Sequence, residues 1–179
     1  VDPSAWYHCV MAFDTTQATD SDRVKFWLNG VLQNSNMAQA NWPSQNASFK
    51  WNENSATYKI GGLGTDMINM YLAEIHNVDG QALTADDFGE YSEDYPDVWN
   101  PKEYTGSHGT NGFHLNFSDP TSTSTISEDQ SGNGNDWTAN NVTVSGTGTD
   151  SMLDSPSMGT QSDTGAGGEV SGNYAIFNH

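Results

Sequence analysis

The sequence predicts an all-β fold, an antiparallel sandwich of short strands, and three observations predict it. Residues 6–33, WYHCVMAFDTTQATDSDRVKFWLNGVLQ, read as two apolar strands separated by a polar excursion and followed by a tight return. Asn29-Gly30 stands between two apolar runs, and this pair is the strongest two-residue hairpin signal because both residues tolerate positive φ. Only one stretch has the signals of a helix, and it is a single turn.

The first strand starts near Trp6. Trp6, His8, Val10 and Ala12 point one way and Tyr7, Cys9, Met11 and Phe13 the other, so neither face is polar and an interior strand covered on both sides is expected. After a loop from Asp14 to Asp22, Val24 to Leu28 forms the next strand, and Val31-Leu32 begins the return. Residues 33–57 are polar and rich in Asn and Ser, the composition of a long loop with short strands. Tyr58 to Ile60 is a short strand closed by Gly61-Gly62. Met70 to Val78 alternates, with Tyr71, Ala73, Ile75 and Asn77 on one face and Leu72, Glu74, His76 and Val78 on the other. Asp79-Gly80 turns the chain. Thr84 with Asp87 three residues on has the form of a capped helical turn ended by Gly89. Phe113 to Phe117 and Trp137 to Val144 are further strands. Residues 145–169 hold few large apolar side chains, so they cannot offset their own ordering entropy and read as a linker or an irregular C-terminal arm. Tyr174, Ile176 and Phe177 form one more expected strand. Three regions follow: residues 1–95, residues 96–144 that complete the sandwich or open a second module, and the arm at 145–179.

Charge excludes whole classes of partner. With 23 acidic and 5 basic residues the 179-residue chain has a formal charge of −18, which opposes binding to a nucleic-acid backbone or an anionic membrane surface. No run approaches the roughly 18 apolar residues of a membrane span. Cys9 is the single cysteine, so neither an internal disulfide nor a cysteine-rich metal site is available. Its place in an apolar strand predicts a small buried residue. The Val at position 1, with a strand starting almost at once, leads to the expectation that the chain starts inside a longer polypeptide or follows a cleavage.

The segments AWYHCVMAFDTT, RVKFWLNGVLQ, YLAEIHNVDGQALTADDFGE and VWNPKEYTGSHGTNGFHLNFSD followed by DQSGNGNDWTANNVTV span most of residues 4–144. Together they resemble the concanavalin-A-like lectin and glucanase superfamily, specifically the laminin-G-like jelly-roll domains of tail-fibre and other virion proteins of marine bacteriophages. The resemblance implies a jelly-roll sandwich of which residues 6–88 are the second half. Strands for the first half have no counterpart in this chain, so a fragment, or a chain completed by a neighbour, is expected. The segment SGNYAIFN resembles the opening of a further β-domain in such proteins. A virion-surface or extracellular location follows from the same likeness.

Three sets of residues are candidates for chemistry. Asp129, Ser131, Asn133 and Asp136 place oxygen side chains along a loop with interposed glycines, the start of a calcium loop, since a hard cation wants many oxygens. The closing bidentate Glu is replaced by Asn140, which leaves a weak calcium site or, ahead of it, a plain turn. Trp42, Trp51 and Tyr58 with Asn52 and Asn54 form a candidate carbohydrate patch, because aromatic faces stack on sugar rings and amides bond hydroxyls. Trp6, Trp27, Trp99 and Trp137 read as core. The histidines, five in all, show no pair at metal spacing and no HExxH, so packing is expected of them. The paired strand carboxylates of the glucanases, Glu-x-Asp-x-x-Glu, are missing, and Glu90, Glu93 and Asp94 read as a solvated loop. The expected function is therefore non-enzymatic: a virion surface protein, of tail-fibre or appendage type, used for host attachment or assembly. Its partners would be further copies of itself or other virion proteins, with a host surface glycan as the candidate ligand. A capsid decoration or extracellular filament subunit of purely structural role, and a secreted carbohydrate-binding module, are the alternatives.

Overall fold

The computed structural model describes residues 5–36, 41–48, 57–63, 66–67, 70–144, 162–163 and 170–171. Among them the fold is mostly β, built from short antiparallel strands in small sheets, with no helix as long as seven residues. The largest sheet has the order β1 (Cys9–Phe13), β2 (Val24–Leu28), β3 (Val31–Leu32). Its β2–β3 return is the expected hairpin, with Asn29 at φ +47° and Gly30 at φ +77°. The apex is tied back to β1: the Asn29 N–H donates to the His8 carbonyl and the His8 N–H to Asn29 Oδ1, both at 2.8 Å.

Pairing β1 against β2 in the register Cys9↔Leu28, Met11↔Phe26 and Phe13↔Val24 puts seven apolar side chains on one face, Val31 of β3 completing the set. The opposite face carries Val10, Ala12, Lys25 and Trp27 and turns toward Ala82, Leu83 and Thr84 across a small hollow. The expectation that both faces of the first strand are covered is corrected here. Met11 is 54%, Phe13 43% and Val31 53% exposed, while Val24, Phe26 and Leu28 on the same face are half-buried. Cys9 shares this face and is exposed rather than buried. Trp6, expected in the core, is 41% exposed.

The remaining sheets are two-stranded ribbons: β4 (Gly62–Leu63) with β5 (Asp66–Met67), β6 (Ile75–Asn77) with β9 (Phe113–Leu115), β7 (Gly89–Tyr91) with β8 (Trp99–Pro101), and β10 (Ser162–Asp163) with β11 (Val170–Ser171). Tyr58 to Ile60 and Trp137 to Val144 are not strands, and the chain between Met70 and Val78 is strand only at β6. Glu74, at φ +50°, breaks the extended run there. Glu90 lies on β7, not in a loop. The capped turn occurs as expected at Ala85–Asp87, where Thr84 and Asp87 close a capping box. Further 3₁₀ turns stand at Asp20–Asp22, Asn34–Asn36 and Thr125–Ser127.

Among the described residues, Trp99 and a small core around β9 are two of the places where these pieces meet. Trp99 on β8 fills the space left by two glycines, Gly30 at the hairpin apex and Gly89 on β7, and its indole N–H donates to His8 Nδ1 at 3.0 Å. The buried apolar side chains among the described residues are Ala85, Phe113, Leu115 and Ile126, so the core lies along β9 and beneath the Thr125–Ser127 turn. Trp137 closes it, its ring edge-on to Phe113 at 5.0 Å. The Trp137 N–H donates to the Ser127 carbonyl at 3.0 Å and Ser127 Oγ–H to the Trp137 carbonyl at 2.7 Å.

Candidate functional site

The ribbon of β6 and β9 assembles the site. Its register sets His76 directly opposite His114, flanked by Ile75↔Leu115 and Asn77↔Phe113. Alternation along β9 sends Phe113 and Leu115 into the core and leaves His114 on the other face, beside His76. The two imidazoles stack at 4.0 Å, 15° from parallel. His108, from the loop between β8 and β9, lies nearly parallel to both, with centroids 5.4 Å from His76 and 5.9 Å from His114. His76 Nδ1 and His108 Nε2 are 3.1 Å apart, a hydrogen bond between rings. On the far side Glu74 Oε2 lies 2.7 Å from His114 Nε2 and 3.9 Å from His76 Nε2. Glu74 is aimed there by its left-handed backbone, a conformation that costs a non-glycine residue of the order of 1 kcal/mol or more and persists only where the surroundings impose it. Phe88 and Tyr104 wall the cluster, Tyr104 meeting His108 edge-on at 5.1 Å.

The loop expected to bind calcium braces this cluster. Asp129 is buried, and its Oδ1 accepts from the N–H groups of His114 (2.8 Å) and Ser131 (2.9 Å). Its Oδ2 accepts from Ser131 Oγ–H (2.8 Å) and the Asn135 N–H (2.9 Å). Asp136 Oδ1 accepts the Asp129 N–H at 2.9 Å. Asn133 and Asn135 turn their amides onto the chain that follows His108: Asn133 Nδ2 donates to the Gly109 and Gly112 carbonyls at 2.6 and 3.0 Å, Asn135 Nδ2 to those of Thr110 and Gly112 at 3.1 and 2.8 Å. These bonds make a turn whose oxygens are engaged by protein donors. A calcium ion there would have to displace the donors on Asp129. The other end of the His108 segment is held by Asp79, whose N–H donates to the His108 carbonyl at 2.8 Å and whose Oδ2 accepts from Asn111 Nδ2 at 2.8 Å.

Burial lowers the affinity of His76 and His108 for a proton. Removal from water, then the proximity of His114 and His108, pushes His76 down to about 3. Burial and His114 lower His108 as well. Burial raises the Asp129 carboxyl, but the donors from His114, Ser131 and Asn135 outweigh it and hold the group below the ordinary carboxylate value. Near neutral pH His76 is therefore a neutral imidazole, with one ring nitrogen able to accept a hydrogen bond or bind a cation.

Comparison with family models, curated proteins and solved structures finds no match for this chain.

Trp42 and Tyr58, of the carbohydrate candidates, are half-buried; Trp51, Asn52 and Asn54 lie outside the described residues, as do Tyr174, Ile176 and Phe177. Two shallow hollows, of about 150 and 370 Å³, contain neither Trp42 nor Tyr58. The acidic Glu90 meets Lys102 at 3.9 Å on the surface. Sequence reading missed the histidine cluster, since His76, His108 and His114 are brought together by a register between strands and not by spacing along one element. The available signal was that His76 and His114 each lay within an expected strand.

Proposed function

We propose that this chain is a non-enzymatic component of a virion surface appendage, in which a lectin-like jelly-roll sandwich serves assembly or host attachment and is completed by neighbouring subunits. The observation that carries the reading is the open apolar face of the β1–β3 sheet, with Met11, Phe13 and Val31 at its exposed rim. An apolar sheet face left in water costs about 25 cal/mol per Å², and sandwiches remove that cost by laying a second sheet over the first. Among the described residues β2 is the strand neighbour of β1, and the other edge of β1 is where a strand could be added. Further copies of the chain, or other virion proteins, are the partners this face suits; a surface glycan would be taken by aromatic loops, Trp42 and Tyr58 among them.

Size-exclusion chromatography with light scattering on the whole chain tests this. The expected result is an oligomer that Met11→Glu with Phe13→Glu converts to monomer while leaving the far-ultraviolet circular dichroism unchanged. A folded wild-type monomer at micromolar concentration overturns the assembly role, and a glycan array on that species then decides whether attachment alone survives.

A further inference from the structure

We propose that Glu74, His76 and His114 form a binding site for a divalent transition-metal ion of the zinc class, with the remaining coordination position left to water. The inference is independent of the reading above and rests on side-chain geometry. One ligand atom from each residue lies within 4.8 Å of the other two, and the carboxylate oxygen is 2.7 and 3.9 Å from the two Nε2 atoms. Zinc bonds of about 2.0–2.2 Å in a tetrahedron place ligand atoms about 3.3 Å apart, between those two separations. Two imidazoles and one carboxylate suit zinc, cobalt or nickel; calcium and magnesium prefer all-oxygen sets. The same three-ligand, one-water arrangement leaves an open position.

The surroundings fit a ligand set. His76 Nδ1, bonded to His108 Nε2, is the nitrogen facing away from Glu74; with Nδ1 as donor, Nε2 keeps its lone pair toward the site, the fixed-tautomer support that metal-bound histidines receive. His114 is anchored through its own N–H on Asp129. Glu74 carries this carboxylate from a left-handed backbone position, φ +50°, a conformation that a non-glycine residue rarely adopts. The ion would take the place of the hydrogen between His114 Nε2 and Glu74: from a neutral ring that proton shifts to Nδ1, and from a doubly protonated ring it passes to solvent, so that Nε2 binds as a neutral imidazole. The stacked rings are 15° from parallel, so binding turns them about χ2, a broad torsion, until their lone pairs converge. An ion so held ties β6 to β9 and, through His108, to the loop before β9.

The test uses the whole chain stripped with chelator and then titrated with zinc, with cobalt as a spectroscopic substitute. One zinc per chain at micromolar concentration is expected, together with the visible absorption of four-coordinate cobalt and histidine NMR shifts confined to His76, His108 and His114. Glu74→Gln and His114→Ala should each weaken zinc at least 100-fold and His108→Ala about 10–100-fold, the range seen on loss of such supporting residues, whereas His179→Ala should change nothing. Because a ring removed from the cluster can disturb folding, the cobalt spectrum and NMR shifts of the unaltered chain stand as the second readout. No stoichiometric zinc uptake by the unaltered chain, or uptake that survives His114→Ala with Glu74→Gln, overturns the site.

Discussion

Asp129 is the residue on which most local order depends. One carboxylate accepts four hydrogen bonds, one of them from the backbone of β9, so Asp129→Ala strands several donors in a buried place. The expected loss is about 2–4 kcal/mol, each orphaned buried donor costing of the order of 1 kcal/mol or more, measured by the urea midpoint with and without calcium; a wild-type midpoint that calcium raises sharply would restore the cation loop in place of the turn. His76 sets the acid limit. Its folded value near 3 lies below the ordinary 6.5, so between those values the unfolded chain holds a proton that the folded chain refuses. In chelator, stability should be flat above pH 6.5 and fall as pH drops below it, by up to about 1.4 kcal/mol per unit for the one proton. Asp129, held below its ordinary 3.8, adds a loss at the acid end, where protonation removes a stabilising carboxylate. Urea midpoints from pH 7.5 to 4 check the first and their extension below pH 3.8 the second, and a rising midpoint on acidification would contradict them.

At the scale of elements, what was legible in the sequence was local. Val24–Leu28, the Asn29-Gly30 turn and Val31-Leu32 stand where alternation and turn chemistry put them, and the Thr84–Asp87 capping box formed as its spacing implies. Those signals are complete within a few residues. The β6–β9 ribbon was half legible: both strands were expected, but their pairing joins residues about 40 positions apart in the chain, and no local signal specifies a partner. The β7–β8 ribbon was missed because Gly89 reads as a helix stop, while its structural reason is Trp99. A Cβ on Gly89 would lie 2.6 Å from Trp99 Cε2. Gly89→Ala should therefore cost about 1–3 kcal/mol as overpacking, and Trp99→Leu in the same chain should return part of it; equal midpoints for wild type and Gly89→Ala would remove Trp99 as the element that holds hairpin and ribbon together.

The molecule as a whole is governed by its charge, and among the described residues its core is thin. At −18 self-repulsion opposes compaction, and the exposed pairs Lys25–Asp22 at 3.7 Å and Lys102–Glu90 at 3.9 Å contribute little against it. Raising sodium chloride from about 20 mM to 0.5 M shortens the Debye length several-fold, so the thermal midpoint should rise; a fall would mean that attractive pairs dominate. Among the described residues the indole of Trp99 on His8 is one place where the small sheets meet, and it is also an optical device. Only a neutral imidazole can accept that N–H at Nδ1, and burial lowers the His8 value. Protonation of His8 below pH 6.5 must break the bond and set a cationic ring 6.0 Å from the indole, a strong quencher. The fluorescence of Trp99 is thus a built-in reporter of whether the hairpin and the β7–β8 ribbon are still joined, readable as the pH-dependent emission that Trp99→Phe abolishes.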